Sequence, residues 1–255
     1  MIQMVIRADD IGYSEAVNYG IEKSVKDGLI RSAGLMPNMP YAEHGFRLVE
    51  DLDVCIGQHT NICLGRPCSD PKDIPSLVGE NGEFHSSREY RAACAEGKDL
   101  ADLEDAVREV EAQYLRFKEI TGRQPAYFEA HAIESENLWK ALKIVADRYS
   151  LPFCHMAPGM ETGTFCGRPI AACPMESMRP DYEPFETLKK AVECARQDIP
   201  NIFVCHPGYV DDYLLHHSSL TLNRTKEVAM LCDPEVSHFL DAHNVQVISY
   251  EQIAV

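Results

Sequence analysis

The chain of 255 residues is 45% hydrophobic and 25% charged, proportions that exclude a disordered, collagenous or coiled-coil protein and suffice for a sizeable core. Acidic residues outnumber lysine plus arginine by 40 to 24, and a net charge of −16 repels polyanions, so neither nucleic acid nor an anionic membrane surface is expected as a partner. The start MIQMVIRADD does not read as a signal peptide, and no run reaches the roughly 18 apolar residues of a membrane helix. The protein is therefore expected to be cytoplasmic, with its ten cysteines, none in a CxxC pair, as reduced thiols.

Short apolar runs alternate with longer helical patterns along the whole chain, the signature of parallel strands joined by crossover helices. The first run, 4–8, ends on Asp9 and Asp10; Ser14 then offers an N-cap for a helix over 15–27, with Gly28 placed to stop it. Strands follow at 29–36 and 53–58. Residues 63–90 carry Pro67, Pro71 and Pro75 and an Asn81-Gly82 turn that predicts a small hairpin, and long excursions of this kind usually cover a site. The longest helical pattern spans 86–121, where Leu103, Val107, Val110, Tyr114 and Phe117 recur at three- and four-residue steps.

The remaining strands fall at 126–130, 151–156, 168–174, 201–206 and 245–249, and the remaining helices at 136–149, 184–198 and 221–242. Seven or eight β/α units in unbroken alternation predict an α/β fold of one domain over 1–255. Closed, it would be a TIM-like (β/α) barrel; an open doubly wound sheet is the competing architecture.

In parallel α/β folds reactive groups gather at the carboxyl ends of strands. Read there, the chain presents Asp9 and Asp10, then His59, His131 and His206. Two imidazoles and one carboxylate from three strands suit a first-row divalent metal with open positions. One aspartate would bind the metal while its neighbour serves as a base. His206, left at a strand tip by Pro207 and Gly208, could act as a general acid. Cys205 and His206 point to opposite faces of a strand, which argues against a thiol nucleophile. Glu129 lies two residues from His131, on the same face if the strand continues, and is a candidate either to orient a metal ligand or to be a solvated loop carboxylate. No GxGxxG, P-loop or GxSxG pattern occurs.

The stretches RADDIGYSEAVNYGI, IRSAGLMPNMP, GQHTNI, TGRQPAYFEAH and VCHPGYVDDYLL, in this order and spacing, resemble the YdjC-type carbohydrate deacetylases, a family that includes chitooligosaccharide deacetylases. The likeness runs from Met4 nearly to VISYEQI. It implies a distorted (β/α) barrel that removes an N-acetyl group from an amino sugar with a divalent metal, usually magnesium, although zinc or another transition metal also suits an Asp-His-His set. Carried over by motif, Asp10, His59 and His131 match the metal ligands, Asp9 the catalytic base and His206 the acid. The chain departs from the family pattern at Glu129, Ala130, His131, Ala132 and Ile133, where only the first histidine of a cluster is kept.

A small carbohydrate substrate is the implied partner, and a homodimer is compatible with the resemblance. A glycosidase reading requires two carboxylates on either side of a glycosidic bond, whereas Asp9 and Asp10 are neighbours. A non-catalytic sugar-binding or regulatory protein is the alternative from another class, favoured by the altered EAHAIES stretch. Tyr90 and the 63–90 excursion are candidates for a wall against sugar rings, with the competing view that Phe84 only anchors the hairpin.

Overall fold

Both faces of the first strand, β1 (Ile2–Ile11), are buried, which explains why its sequence is a nearly continuous apolar run. Met4, Ile6 and Ala8 face outward into a cluster with Val17, Ile21 and Val25 of helix α1 (Glu15–Lys26), while Val5 joins an inner cluster with Cys55, Tyr127, Cys154, Phe165, Ile202 and Tyr250. Arg7 and Asp9 share the inner face of Val5 by strand alternation. The chain is seen in a computed structural model that describes residues 1–253.

After β1 and α1 come β2 (Ser32–Leu35), α2 (Ala42–Val49), β3 (Cys55–Thr60), α3 (Ser87–Ala95), α4 (Leu103–Thr121), β4 (Phe128–Ala130) and α5 (Glu136–Tyr149). There follow β5 (Cys154–His155), β6 (Thr162–Phe165), β7 (Arg168–Ala172), α6 (Pro184–Glu193) and β8 (Asn201–Cys205). The chain finishes with α7 (Asp212–His217), α8 (Leu222–Leu231), α9 (Pro234–Ala242), β9 (Val245–Ile248) and α10 (Tyr250–Ile253).

The strands lie in the order β4-β3-β2-β1-β8-β7-β6-β5. Phe153, just ahead of β5, bridges Phe128 of β4 in parallel, so the ends of the sheet meet and the fold is a nearly closed eight-stranded α/β barrel in one domain. β9 pairs with the first half of β1, Ile2 to Val5, below the point where β2 begins. The barrel is mixed, because β5, β6 and β7 are joined antiparallel. That meander takes the place of regular β/α units and is the distortion expected of the barrel; the open doubly wound alternative is excluded by closure.

Ser14 caps α1 as expected, its Oγ accepting from the Val17 N–H at 3.2 Å. The pattern over 86–121 is two helices: α3 ends at Ala95 and the chain turns through Gly97 at φ +73° before Asp102 caps α4. The pattern over 221–242 is likewise two, separated at Cys232 and Asp233 ahead of Pro234, which opens α9. Asn81-Gly82 does turn the chain, but with a single antiparallel bridge, Val78 to Phe84. Tyr90 and Phe84 are 2% and 7% exposed in one apolar cluster with Tyr114, Phe128 and Trp139, so Tyr90 is a core residue and no sugar wall.

α1 lies so close to the turn after β8 that a side chain at Gly20 would overlap the backbone of Gly208. A methyl group there has backbone on both sides and nowhere to move. We therefore expect Gly20→Ala to destabilise the fold by about 3 kcal/mol, the upper end for overpacking, measured as the shift of the urea unfolding midpoint.

Candidate functional site

β1 changes register against β2 where the two aspartates lie: Ala8 pairs with Ala33 and Ile11 with Leu35, leaving Asp9 and Asp10 opposite Gly34 alone. This one-residue bulge is completed by Asp10 at φ +78°, a left-handed conformation that aspartate tolerates better than most residues. Neighbours on a regular strand point to opposite faces. Here the bulge turns both carboxylates toward His59, with Asp10 Oδ1 at 3.3 Å and Asp9 Oδ2 at 3.9 Å from its Nε2. The aspartates thus lie within the strand, as a bulge, and not beyond its end.

His59 is paired in register with Glu129 across β3 and β4, and its Nδ1 hydrogen-bonds Glu129 Oε1. Gly34 makes room for this contact, since a Cβ there would sit 2.9 Å from the Cβ of His59 and 3.0 Å from Glu129 Oε1. His131 follows β4, its N–H donating to the Thr60 carbonyl at 2.9 Å, and Ala132 at φ +56° turns the chain away behind it. Glu129 does orient a candidate ligand, but it is His59 across the strands and not His131 along its own.

Asp10 Oδ1, His59 Nε2 and His131 Nδ1 form a small triangle, with edges of 3.3, 3.2 and 2.9 Å. Ligand bonds of about 2.0–2.2 Å meeting at about 90–109° put donor atoms roughly 2.8–3.6 Å apart, so the triangle fits one first-row ion. Asp10 Oδ1 is fully buried and receives no hydrogen bond. That orphaned oxygen beside two imidazole nitrogens is what a cation would satisfy. A second set, Asp9, His59 and Glu129, is also compact, but both of its carboxylates are already paired with Arg7. The first set is the candidate metal centre.

Around it lies a buried charge network. Arg7 grips Asp9 with two bonds, Nε to Oδ1 at 2.6 Å and Nη2 to Oδ2 at 2.8 Å, reaches Glu129 at 3.3 Å, and donates to the Tyr250 hydroxyl at 3.2 Å. Arg224 of α8 donates to Asp10 Oδ2 at 2.7 Å. Three carboxylates thus face two guanidinium groups, all at most 4% exposed, and one negative charge is left over. Burial disfavours a charged His59, but Glu129, then Asp9 and Asp10, outweigh it and raise its pKa to about 10. In the metal-free protein a proton on His59 stands where a cation would. Burial opposes ionisation of Asp10 too, and Arg224 and His131 overcome it, holding its carboxyl well below the usual range.

His206 directly follows β8, whose Cys205 pairs with Ala8, and its imidazole interacts with Asp9. Its backbone N–H donates to Glu227, which also accepts from the Tyr182 hydroxyl at 2.7 Å. Its Nδ1 is buried without a partner. Burial drives its pKa down to about 4 against the opposing pull of Asp10 and Asp9. Cys205 is fully buried and its thiol is pushed well above its ordinary value, which leaves it unfit as a nucleophile.

All five residues predicted for the site converge. The sequence reading misses Arg7, Arg224 and Glu227. Arg7 had a signal, a lone cation in a strand buried on both faces; Arg224 and Glu227 sit in an ordinary helical pattern and had none.

Residues 3–242 match the family described as YdjC-like protein, and the chain belongs to that family. A carbohydrate deacetylase of Geobacillus stearothermophilus is 32% identical to it, over 97% of this chain and 96% of the relative. Carbohydrate deacetylase 2 of Listeria innocua is 29% identical, over 99% of both. Among solved structures, an Enterococcus faecalis protein named for cellobiose-phosphate cleavage superposes with a TM-score of 0.82 at 24% identity, covering 100% of this chain and 99% of that one. A family 4 acetyl xylan esterase of Clostridium thermocellum, solved with a cobalt ion, has the same general fold at a TM-score of 0.52 and 9% identity, covering 98% and 89%.

The raised pKa of His59 has a defined sign. Its contribution to the stability of chelated protein is fully present below about pH 6.5, its unfolded value, and is lost as the pH rises through about 10. An ion must displace that proton, so metal affinity should rise over the same interval. Calorimetry in two buffers of different ionisation enthalpy should register close to one proton released per ion at neutral pH; affinity independent of pH would contradict the assignment.

Proposed function

We propose that the protein is a metal-dependent hydrolase that removes the N-acetyl group from an amino sugar or a short oligosaccharide, such as an acetylated chitooligosaccharide. The observation that carries this reading is the meeting of Asp10 Oδ1, His59 Nε2 and His131 Nδ1 within 3.3 Å of one another, with Asp9 and His206 adjoining. Relatives named carbohydrate deacetylase, similar over nearly the whole chain, support it.

Asp10, His59 and His131 would hold the ion: magnesium by family resemblance, with zinc or another transition metal equally suited to the donors. When bound, it supplies a Lewis acid that polarises the acetyl carbonyl and makes water more acidic. Asp9 takes the proton of the attacking water. Burial opposes its charge, but Arg7, His59 and His206 outweigh burial and lower its pKa, so it is a weak base held at a fixed angle by the Arg7 fork and works chiefly through position. As the water oxygen bonds to the acetyl carbon, the carbon–nitrogen bond breaks and the nitrogen requires a proton.

His206 delivers that proton. Neutral at rest because it is buried, it becomes a strong acid once it has received the proton taken up at Asp9, and passing it to the nitrogen returns both residues to their starting states. Acetate and a free amine are the products. Asp9 and Asp10 share one bulge and approach from one side, so they cannot flank a glycosidic bond as a glycosidase requires.

Incubation with N-acetylated chitooligosaccharides and a panel of divalent ions should release acetate without shortening the sugar. Sugar binding without acetate from any substrate or ion would establish the binding or regulatory alternative instead. Asp9→Asn should retain the ion and lose about 10²–10⁴ in turnover, whereas wild-type turnover would remove Asp9 as the base. His59→Ala and His131→Ala should each abolish stoichiometric metal by elemental analysis, and unchanged metal content would remove them as ligands.

A further inference from the structure

The strand that delivers His206 runs out of partners before it reaches that residue. β1 pairs with β8 as far as Cys205 and β7 only as far as Ile202. Pro207 follows, with no N–H of its own to anchor the turn. The backbone of His206 is held instead by α8, through two buried residues one turn apart. Glu227 accepts from the His206 N–H, and Arg224 Nη1 donates to the His206 carbonyl at 3.4 Å.

The other oxygen of Glu227 accepts from the Tyr182 hydroxyl at 2.7 Å, so each carboxylate oxygen has one donor. Tyr182 lies between β7 and α6, in a segment that α8 also binds. Lys226 Nζ donates to the Tyr182 carbonyl at 2.7 Å, and Asn223 Nδ2 to the carbonyls of Ser177 and Arg179 at 2.8 and 3.0 Å. Glu227 and Tyr182 are both buried. Burial pushes the Glu227 carboxyl up to about 7 against the pull of Tyr182, the His206 N–H and Arg224. A carboxylate is costly to desolvate, and this one gives both oxygens to the His206 peptide and to the phenol that braces it.

The imidazole itself has little to hold it. His206 Nδ1 is buried without a partner, so no hydrogen bond at that nitrogen sets the direction of the ring, and the backbone that carries it must do so. Proton transfer to a departing nitrogen depends on that direction, and a misplacement of about 1 Å can cost about 10²-fold in rate.

We propose that Glu227, braced by Tyr182, is a positioning residue for the general acid: it fixes the peptide of His206 so that the imidazole meets the leaving nitrogen. The proposal rests on the deacetylase reading for what His206 does, and adds to the proton-delivery step two residues that act through the backbone.

The leaving group separates proton delivery from the rest of the site. A departing amide nitrogen requires a proton, whereas 4-nitrophenolate leaves 4-nitrophenyl acetate without one. In metal-loaded protein, Glu227→Leu should lower kcat for an N-acetylated chitooligosaccharide by about 10²-fold with KM unchanged. Turnover of 4-nitrophenyl acetate should fall far less, and bound metal should stay stoichiometric. Glu227→Gln can accept from the His206 N–H while its amide donates to the Tyr182 oxygen, and should restore most of the lost rate. Tyr182→Phe keeps the ring and should show the same selective loss at smaller size, which carries the comparison should the leucine variant fail to fold. Equal losses on the two substrates, or a glutamine variant no better than leucine, would overturn the proposal. Solvent exchange of the His206 amide proton, followed by NMR, is read without turnover. It should be slow in the wild-type and Glu227→Gln proteins and at least about tenfold faster in Glu227→Leu, the worth of one hydrogen bond. Unchanged protection would overturn the positioning role whether or not acetate is released. Wild-type protein that protects this amide in the expected way yet releases no acetate would count against the deacetylase reading, with the hold of Glu227 on His206 established by the exchange.

Discussion

The barrel interior is organised by the Arg7 guanidinium, which binds Asp9 through two hydrogen bonds and Glu129 through a third contact at full burial. A lone charge in that position would be driven out of the fold by the cost of desolvation. Its partners make it tolerable, and they are also the groups that define the site: Asp9 stands beside the candidate ion position, and Glu129 fixes the ring of His59. Arg7 therefore links the two strands that supply most of the chemistry. Arg224 repeats the device from outside the sheet, binding Asp10 while its other nitrogens donate to the carbonyls of Leu220 and His206.

The charge count of this network is what would favour a cation there. With neutral imidazoles it carries one net negative charge among largely buried groups. A proton on His59 answers that imbalance, and a divalent ion held by the proposed ligands would compete with it for the same nitrogen. The bulge in β1 is what allows a single strand to serve the whole arrangement, since regular alternation would have sent Asp10 into the outer layer with Ala8.

Much of this was legible in the chain. Asp9, Asp10, His59, His131 and His206 could be found because each closes an apolar run, and in a parallel barrel such positions converge whatever the helices do. The strand-to-helix punctuation was equally plain at Ser14. Periodicity failed where two helices follow each other on the same apolar stripe: 86–121 and 221–242 read as continuous, and the breaks at Gly97 and Pro234 depend on packing that periodicity does not express. Glu129 was recognisable as a supporting carboxylate, yet its partner depended on the β3–β4 register, which no local pattern carries. Tyr90 was open to either reading, because an aromatic residue near a long loop looks the same whether it faces solvent or, as here, packs with Phe84 in the second apolar cluster.

The charged groups of the site are confined to one side of the barrel. Glu129 and His131, His59, the two aspartates with Arg7, and His206 belong to or follow β4, β3, β1 and β8, which run side by side with only glycine-bearing β2 between them. The antiparallel stretch β5-β6-β7 contributes none of them. Half of the wall is thus an electrostatic scaffold in which every change is felt, and the other half is a plain closure whose connecting loops can lengthen, shorten or change sequence and reshape the entrance without disturbing the ionic lattice opposite.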